Sequence, residues 1–175
     1  MRLTRRSRSQ FEEFAAAHGA GLVKLAFVVC GDHEQAQDAV QDALIRVYQR
    51  WSRISDPLAY ARRTVVNATR EDWRRDRRSD RLHRVIAQTP SGGESNDPQD
   101  RVPQRDALMA ALDALPHAQR AVIVLRYGIQ LSEAETASTL DIPIGTVKSR
   151  VNRALARLRE VLNAETVTAI TETRA

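Results

Sequence analysis

The stretch Ile142–Glu160, IPIGTVKSRVNRALARLRE, decides how the rest of the chain is read. Between Lys148 and Arg159 it carries five basic residues and no acidic one. Val147, Val151, Leu155, Leu158 and, just beyond, Leu162 recur at helical spacing. A helix so written packs its apolar stripe on a domain and turns uncompensated arginine toward an anion. Thr146, Ser149, Arg150, Arg153 and Arg157 project from the face beside the stripe, and Lys148 flanks it on the other side. Upstream, Ser132 and Glu135 spell an S-x-x-E capping box that starts a short helix, Glu133–Leu140. Asp141-Ile142-Pro143 breaks that helix, and Pro143 suits the first turn of the next. A capped short helix, a three-residue break and a long basic helix predict a helix-turn-helix with its second helix in a major groove. Docking of the basic helix on a membrane or a partner is the weaker reading, because it leaves the capped scaffold helix without a purpose.

The whole chain agrees with an anionic partner. Its 175 residues carry a net charge of +5 and a pI of about 10.1, which favours nucleic acid. A hydrophobic fraction of 42% supports a core, modest in each part if the chain makes two domains. Cys30 is the sole cysteine, so no internal disulfide is expected, and in LAFVVCGD it reads as core filling. The basic start MRLTRRSRSQ is followed by no apolar segment of signal-peptide type, and no apolar run reaches the length of a membrane span. A soluble cytoplasmic protein without membrane insertion is expected.

Helical periodicity fills residues 11 to about 78 and returns from 104 to about 163. Between them, 79–103 holds TPSGGESNDPQD, three prolines and two glycines, and reads as a flexible linker. The end, 164–175, lacks caps and reads as a frayed tail. The fold class is all-α: two small helical domains, 1–78 and 104–163, on a tether.

In the first domain, Phe11, Phe14, Leu22, Leu25, Ala26 and Val29 make a core stripe, with an interruption expected near His18-Gly19. In DAVQDALIRVYQRW, Val40, Leu44, Val47 and Trp51 share one face while Asp38, Asp42 and Gln49 lie opposite with Ile45 among them. An aliphatic residue centred in an acidic and amide face has the look of a docking patch, and the pattern alone equally fits a solvated face with one stray aliphatic. A third helix has Asp56 as N-cap and Pro57 in its first position. Leu58, Ala61, Val65 and Trp73 line its core side; Tyr60, Arg63, Asn67, Arg70 and Arg74 share the other. From Arg62 to Arg84 nine arginines face four acidic residues, a bias toward phosphate or base contact.

LSEAETASTLDIPIGTVKSRVNRALARLRE resembles region 4.2 of bacterial sigma factors of the extracytoplasmic-function (ECF) group in the sigma-70 family, and ALDALPHAQRAVIVLRY resembles their region 4.1. DAVQDALIRVYQRW looks like region 2.2, and PLAYARRTVVNATREDWRR like regions 2.3 and 2.4. The SEAETA and NATREDWRR spellings are similar to the actinobacterial SigE-like branch. The resemblance implies a sigma-2-like bundle and a sigma-4-like helix-turn-helix that bind core RNA polymerase and direct it to promoter DNA. It implies a polymerase-docking face of Asp38, Gln41, Asp42, Ile45 and Gln49. It implies −10 contacts by Arg63, Asn67, Arg70 and Arg74, on the face where Tyr60 supplies a stacking surface, with the loop Arg53–Asp56, Ser55 included, capturing a flipped base. It implies −35 contacts by Lys148, Ser149, Asn152 and Arg153, beside which Thr146, Arg150 and Arg157 lie on the groove-facing side read from helical spacing. The group often uses an anti-sigma protein, which the resemblance admits as a further partner. Two departures stand out: Asp141 replaces a glycine that many members carry, and Asn152 holds a position that varies across the family.

A stand-alone helix-turn-helix regulator is the alternative, but it calls for a ligand or phosphoacceptor domain where this chain has an arginine-rich helical one. An enzyme is weaker still. His18, His33, His83 and His117 are scattered, and neither metal-ligand spacing nor a phosphate-cradling glycine loop occurs, so no cofactor or metal is expected.

Overall fold

Helix punctuation sets the architecture. The computed structural model describes the backbone of residues 5–83 and 103–172 and the side chains of residues 8–70 and 107–162. All regular structure among the described residues is helical. The chain divides into two compact units, Met1–Gly93 and Glu94–Ala175.

The first unit packs α1 (Arg5–Cys30), α2 (His33–Arg50) and α3 (Pro57–His83) against one another, with a 3-10 turn at Trp51–Arg53. Gly31 stops α1 in a left-handed conformation, φ 82°, and its N–H reaches the Phe27 carbonyl at 2.7 Å. One residue later Asp32 caps α2, its carboxylate accepting from Gln35 N–H at 2.8 Å. Asp56 caps α3 as its sequence suggests, accepting from Ala59 N–H at 2.9 Å. Leu22, Ala26, Ala36, Val40, Ala43, Val47, Ala61 and Val65 form the core, and Leu44, Trp51 and Leu58 pack on it half-buried. Phe11 and Phe14 meet Trp51 at ring-centroid distances of 5.6 and 5.4 Å, which ties the start of α1 to the end of α2.

The helix α1 runs straight through His18-Gly19, where its core stripe is interrupted. Glycine costs a helix interior only about 1 kcal/mol relative to alanine, and packing by Phe14, Leu22 and Leu25 on either side overrides it. Over Arg8–Cys30 this helix is also long and apolar enough, by length and composition, to cross a membrane, although no uninterrupted apolar run suggested it. Its large buried residues, Leu22, Leu25 and Val29, face the bundle core instead. The backbone of α3 continues to His83. Residues 84–102 of the expected linker lie outside the described residues, as do the side chains of Trp73 and Arg74.

The second unit contains α4 (Pro103–Asp113), α5 (His117–Ile123), a π-helical turn at Val124–Gly128, α6 (Glu133–Leu140) and α7 (Ile144–Glu172). The capping box is formed on both sides: Ser132 N–H donates to Glu135 Oε2 at 2.7 Å, and Glu135 N–H donates to Ser132 Oγ at 3.2 Å. Leu112, Leu115, Val122, Leu125, Leu140 and Val147 are buried, whereas Leu108 is exposed. Arg120, buried in α5, donates to the Asp113 carbonyl at 2.9 Å and pairs with its carboxylate at 2.7 Å, fastening the end of α4. The backbone of α7 extends to Glu172, into the stretch expected to be a tail, where no glycine or proline stops a helix.

A Cβ placed at Gly19 or Gly21 would meet no atom within 4 Å. Gly19→Ala and Gly21→Ala should therefore each raise unfolding stability by roughly 0.5–1 kcal/mol, measured by urea denaturation. A loss of stability in both variants would show that α1 bends at this point in solution.

Candidate nucleic-acid and protein interfaces

Burying one side of α2 leaves a single continuous stripe on the other. Asp38, Gln41, Asp42, Ile45 and Gln49 are all exposed, spaced so that they share one helix face. Ile45 is 54% exposed, far from the burial an aliphatic side chain gains when it belongs to a core. Tyr48 stands beside it at 38%, its ring edge-on to Phe11 at 5.0 Å.

A second surface combines the outer face of α3 with the turn before it. Arg53, Ser55 and Arg63 are exposed, while Tyr60, Asn67 and Arg70 are half-buried on the same side of α3. Arg74 continues their spacing, with its side chain outside the described residues. Asn67 Oδ1 and Arg70 Nε are buried atoms with no hydrogen-bond partner among the described residues. Tyr60 is already engaged: Arg50, from the end of α2, donates to its hydroxyl at 2.8 Å and lies over its ring at 5.8 Å. Sequence periodicity could not find Arg50, because the contact joins two helices.

The third surface is α7. Val147 and Ala154 are fully buried, and Val151, Leu155, Leu158 and Val161 are half-buried around them. Ala154 takes the centre of the seam, and Leu162, expected in it, is exposed. Lys148, Asn152, Arg153 and Arg157 are exposed; Thr146, Ser149 and Arg150 are half-buried. Ser149 Oγ donates to the Thr146 carbonyl at 3.1 Å. Lys148 Nζ lies 3.5 Å from Glu133 Oε2 at the start of α6, a pairing absent from the sequence reading. Among the described residues no group of His, Cys, Asp and Glu has the arrangement of a metal site.

The angle between α6 and α7 depends on Asp141. It adopts a left-handed conformation, φ 55° and ψ 52°, and its N–H bonds back to the Ala137 carbonyl. Aspartate tolerates this geometry better than most residues, though less well than glycine.

These features define an all-α protein that carries a helix-turn-helix, and comparison with known proteins makes the class specific. The sigma-70 region 2 family model matches residues 14–79, and the sigma-70 region 4 model matches residues 105–158. The RNA polymerase sigma-E factor of Streptomyces coelicolor is 40% identical over 89% of this chain and 87% of its own length. The ECF RNA polymerase sigma factor SigL of Mycobacterium tuberculosis is 36% identical over 86% and 88%. Among solved structures, the sigma factor RpoE in complex with the anti-sigma factor NepR from Bartonella quintana has a TM-score of 0.70 at 25% identity, covering 88% of this chain and 97% of that one. CnrH in complex with the cytosolic domain of CnrY has a TM-score of 0.63 at 25% identity, covering 90% of each.

The chain belongs to the sigma-70 family, in its extracytoplasmic-function group, with relatives in the sigma-E branch. It is an RNA polymerase sigma factor, and the stand-alone regulator is not favoured.

The left-handed Asp141 gives a direct test of the turn. Asp141→Asn should fold with little change, whereas the β-branched Asp141→Val should cost roughly 1–2 kcal/mol. Thermal unfolding read by circular dichroism measures both; equal stability of the two variants would overturn the turn geometry.

Proposed function

We propose that this sigma factor docks on core RNA polymerase through the α2 stripe and reads promoters through α3 and α7. The observation that carries the docking assignment is the exposure of Ile45 at the centre of Asp38, Gln41, Asp42 and Gln49. An apolar anchor ringed by acids and amides fits a basic partner surface with a small apolar pocket. The first unit, about 1–78, carries polymerase binding together with −10 recognition and melting. Arg63, Asn67, Arg70 and Arg74 track the −10 strand, Arg53 and Ser55 border a flipped base, and Tyr60 offers it a stacking face.

The second unit, about 104–163, reads the −35 element. Asn152 and Arg153 reach base edges, Thr146 and Ser149 sit near the groove entrance, and Lys148, Arg150 and Arg157 neutralise phosphate. The stretch 79–103 tethers the units. The protein acts in the cytoplasm, where the polymerase is, and no catalytic step of its own is assigned to it. The anti-sigma partners of the solved relatives support an anti-sigma protein as a third partner here.

Asp42→Arg and Ile45→Glu should abolish co-purification with core polymerase while leaving the helical circular dichroism signal unchanged. Normal core binding by both variants would refute the docking assignment.

Arg153→Ala should weaken promoter binding by about 1–3 kcal/mol and relax the preference at one or two −35 positions. Arg159→Ala, farther from the helix start, should lower affinity evenly across sequences. Binding across a −35 substitution library at fixed salt measures both. An unchanged preference in Arg153→Ala would remove α7 from the groove.

A further inference from the structure

Glu133 opens α6, Lys148 lies early in α7, and their charged ends are 3.5 Å apart. Both side chains remain well exposed, Lys148 at 60% and Glu133 at 41%. A solvated ion pair of this kind adds little to stability, so its consequence lies elsewhere. In a helix-turn-helix the first helix crosses the DNA backbone while the second enters the groove. The start of α6 and the adjoining flank of α7 therefore face phosphates. A helix N-terminus and a lysine together would ordinarily attract them. Here a carboxylate sits beside the ammonium. A phosphate touching Lys148 lies about 6–7 Å from Glu133, inside the Debye length of about 8 Å at physiological salt. The other first-turn acid of α6, Glu135, is held in the capping box by the Ser132 N–H.

We propose that Glu133 sets the strength of promoter binding by competing with DNA phosphate for Lys148. Glu133 is a tuning residue that acts through Lys148 and makes no base contact. The inference rests on the placement of α7 in the −35 groove. Because phosphates are the same in every sequence, Glu133 lowers affinity for promoter and arbitrary duplex alike. Retention at a promoter then depends more on the base-edge contacts of Asn152 and Arg153. Within the chain the pair also orients Lys148 toward α6 until a duplex arrives.

The test uses the full chain assembled with core polymerase. Glu133→Gln, Glu133→Asp, Lys148→Gln and the Glu133→Gln/Lys148→Gln double variant are titrated with two duplexes across a salt series. One duplex carries the preferred −35 element selected from a randomised library, and the other a scrambled sequence of equal length. Glu133→Gln should tighten binding to both duplexes by about three- to tenfold near 0.15 M salt. It should also steepen the salt dependence by about one counterion. Glu133→Asp, which keeps the charge, should behave as the parent protein does. In the Lys148→Gln background the Glu133→Gln effect should fall below about twofold, the two sites being coupled. Equal tightening in both backgrounds would overturn the proposal, since Glu133 would then act as a general surface charge. So would no tightening at all while Lys148→Gln weakens binding. If Lys148→Gln itself leaves binding unchanged, the phosphate contact assigned to Lys148 fails, and this inference fails with it.

Discussion

Helices approach closely only where the side chain between them is small, and both units are organised around such places. Ala26, Ala36, Ala43 and Ala61 in the first unit, and Ala111 and Ala154 in the second, have no exposed surface. Each lets the backbones draw near enough for neighbouring valines and leucines to interlock. The alanines contribute little apolar area of their own. Their value is positional, since a larger side chain at the same point would push the helices apart and strain the core. Once Ala43 and Val47 fix the inner side of α2, Ile45 has no choice but to face outward. Ala154 and Val147 decide the same for Arg153 and Asn152.

Rotation about a helix axis is only half of an interface; the direction of the helix is the other half. Short polar residues supply it. Gly31 and Asp32 stop one helix and start the next within two residues, Asp56 starts α3, and Ser132 with Glu135 starts α6. Each cap satisfies backbone groups that a helix end leaves orphaned. Asp141 redirects the chain in a left-handed turn between α6 and α7. Few side chains adopt that conformation, so the helix-turn-helix angle depends on one residue of unusual backbone geometry.

Charge is used in two different ways. Arg120 is buried and holds Asp113 with its guanidinium, closing the α4–α5 junction; removing Asp113 would leave the arginine, 10% exposed, short of its partner, whereas Asp113 is itself 55% exposed. Lys148 and Glu133 are solvated, and their pairing adds little to stability. The first unit shows an intermediate case, with Arg50 holding the Tyr60 ring and hydroxyl in the middle of an arginine-rich face.

Local signals in the sequence determined most of this fold. The S-x-x-E box, Asp56-Pro57 and Asp141-Ile142-Pro143 each act within one turn of chain, and the structure forms helix boundaries at all three. The Ile45 stripe and the Arg153 face were equally legible, because helical periodicity assigns sides without knowledge of partners. Local preference is set aside where a distant contact outweighs it. Gly19 carries a helix-breaking tendency of about 1 kcal/mol, and packing of Phe14 and Leu22 overrides it. Periodicity placed Ala26 and Ala61 in the core, but not Ala36, Ala43, Ala111 or Ala154, because a small residue looks the same in a core and on a surface. Tertiary structure alone decided the pairs Arg50–Tyr60, Arg120–Asp113 and Lys148–Glu133, since each joins side chains on separate helices. Periodicity specifies which way a side chain leaves its own helix. Only the packing of helices on one another specifies what it meets.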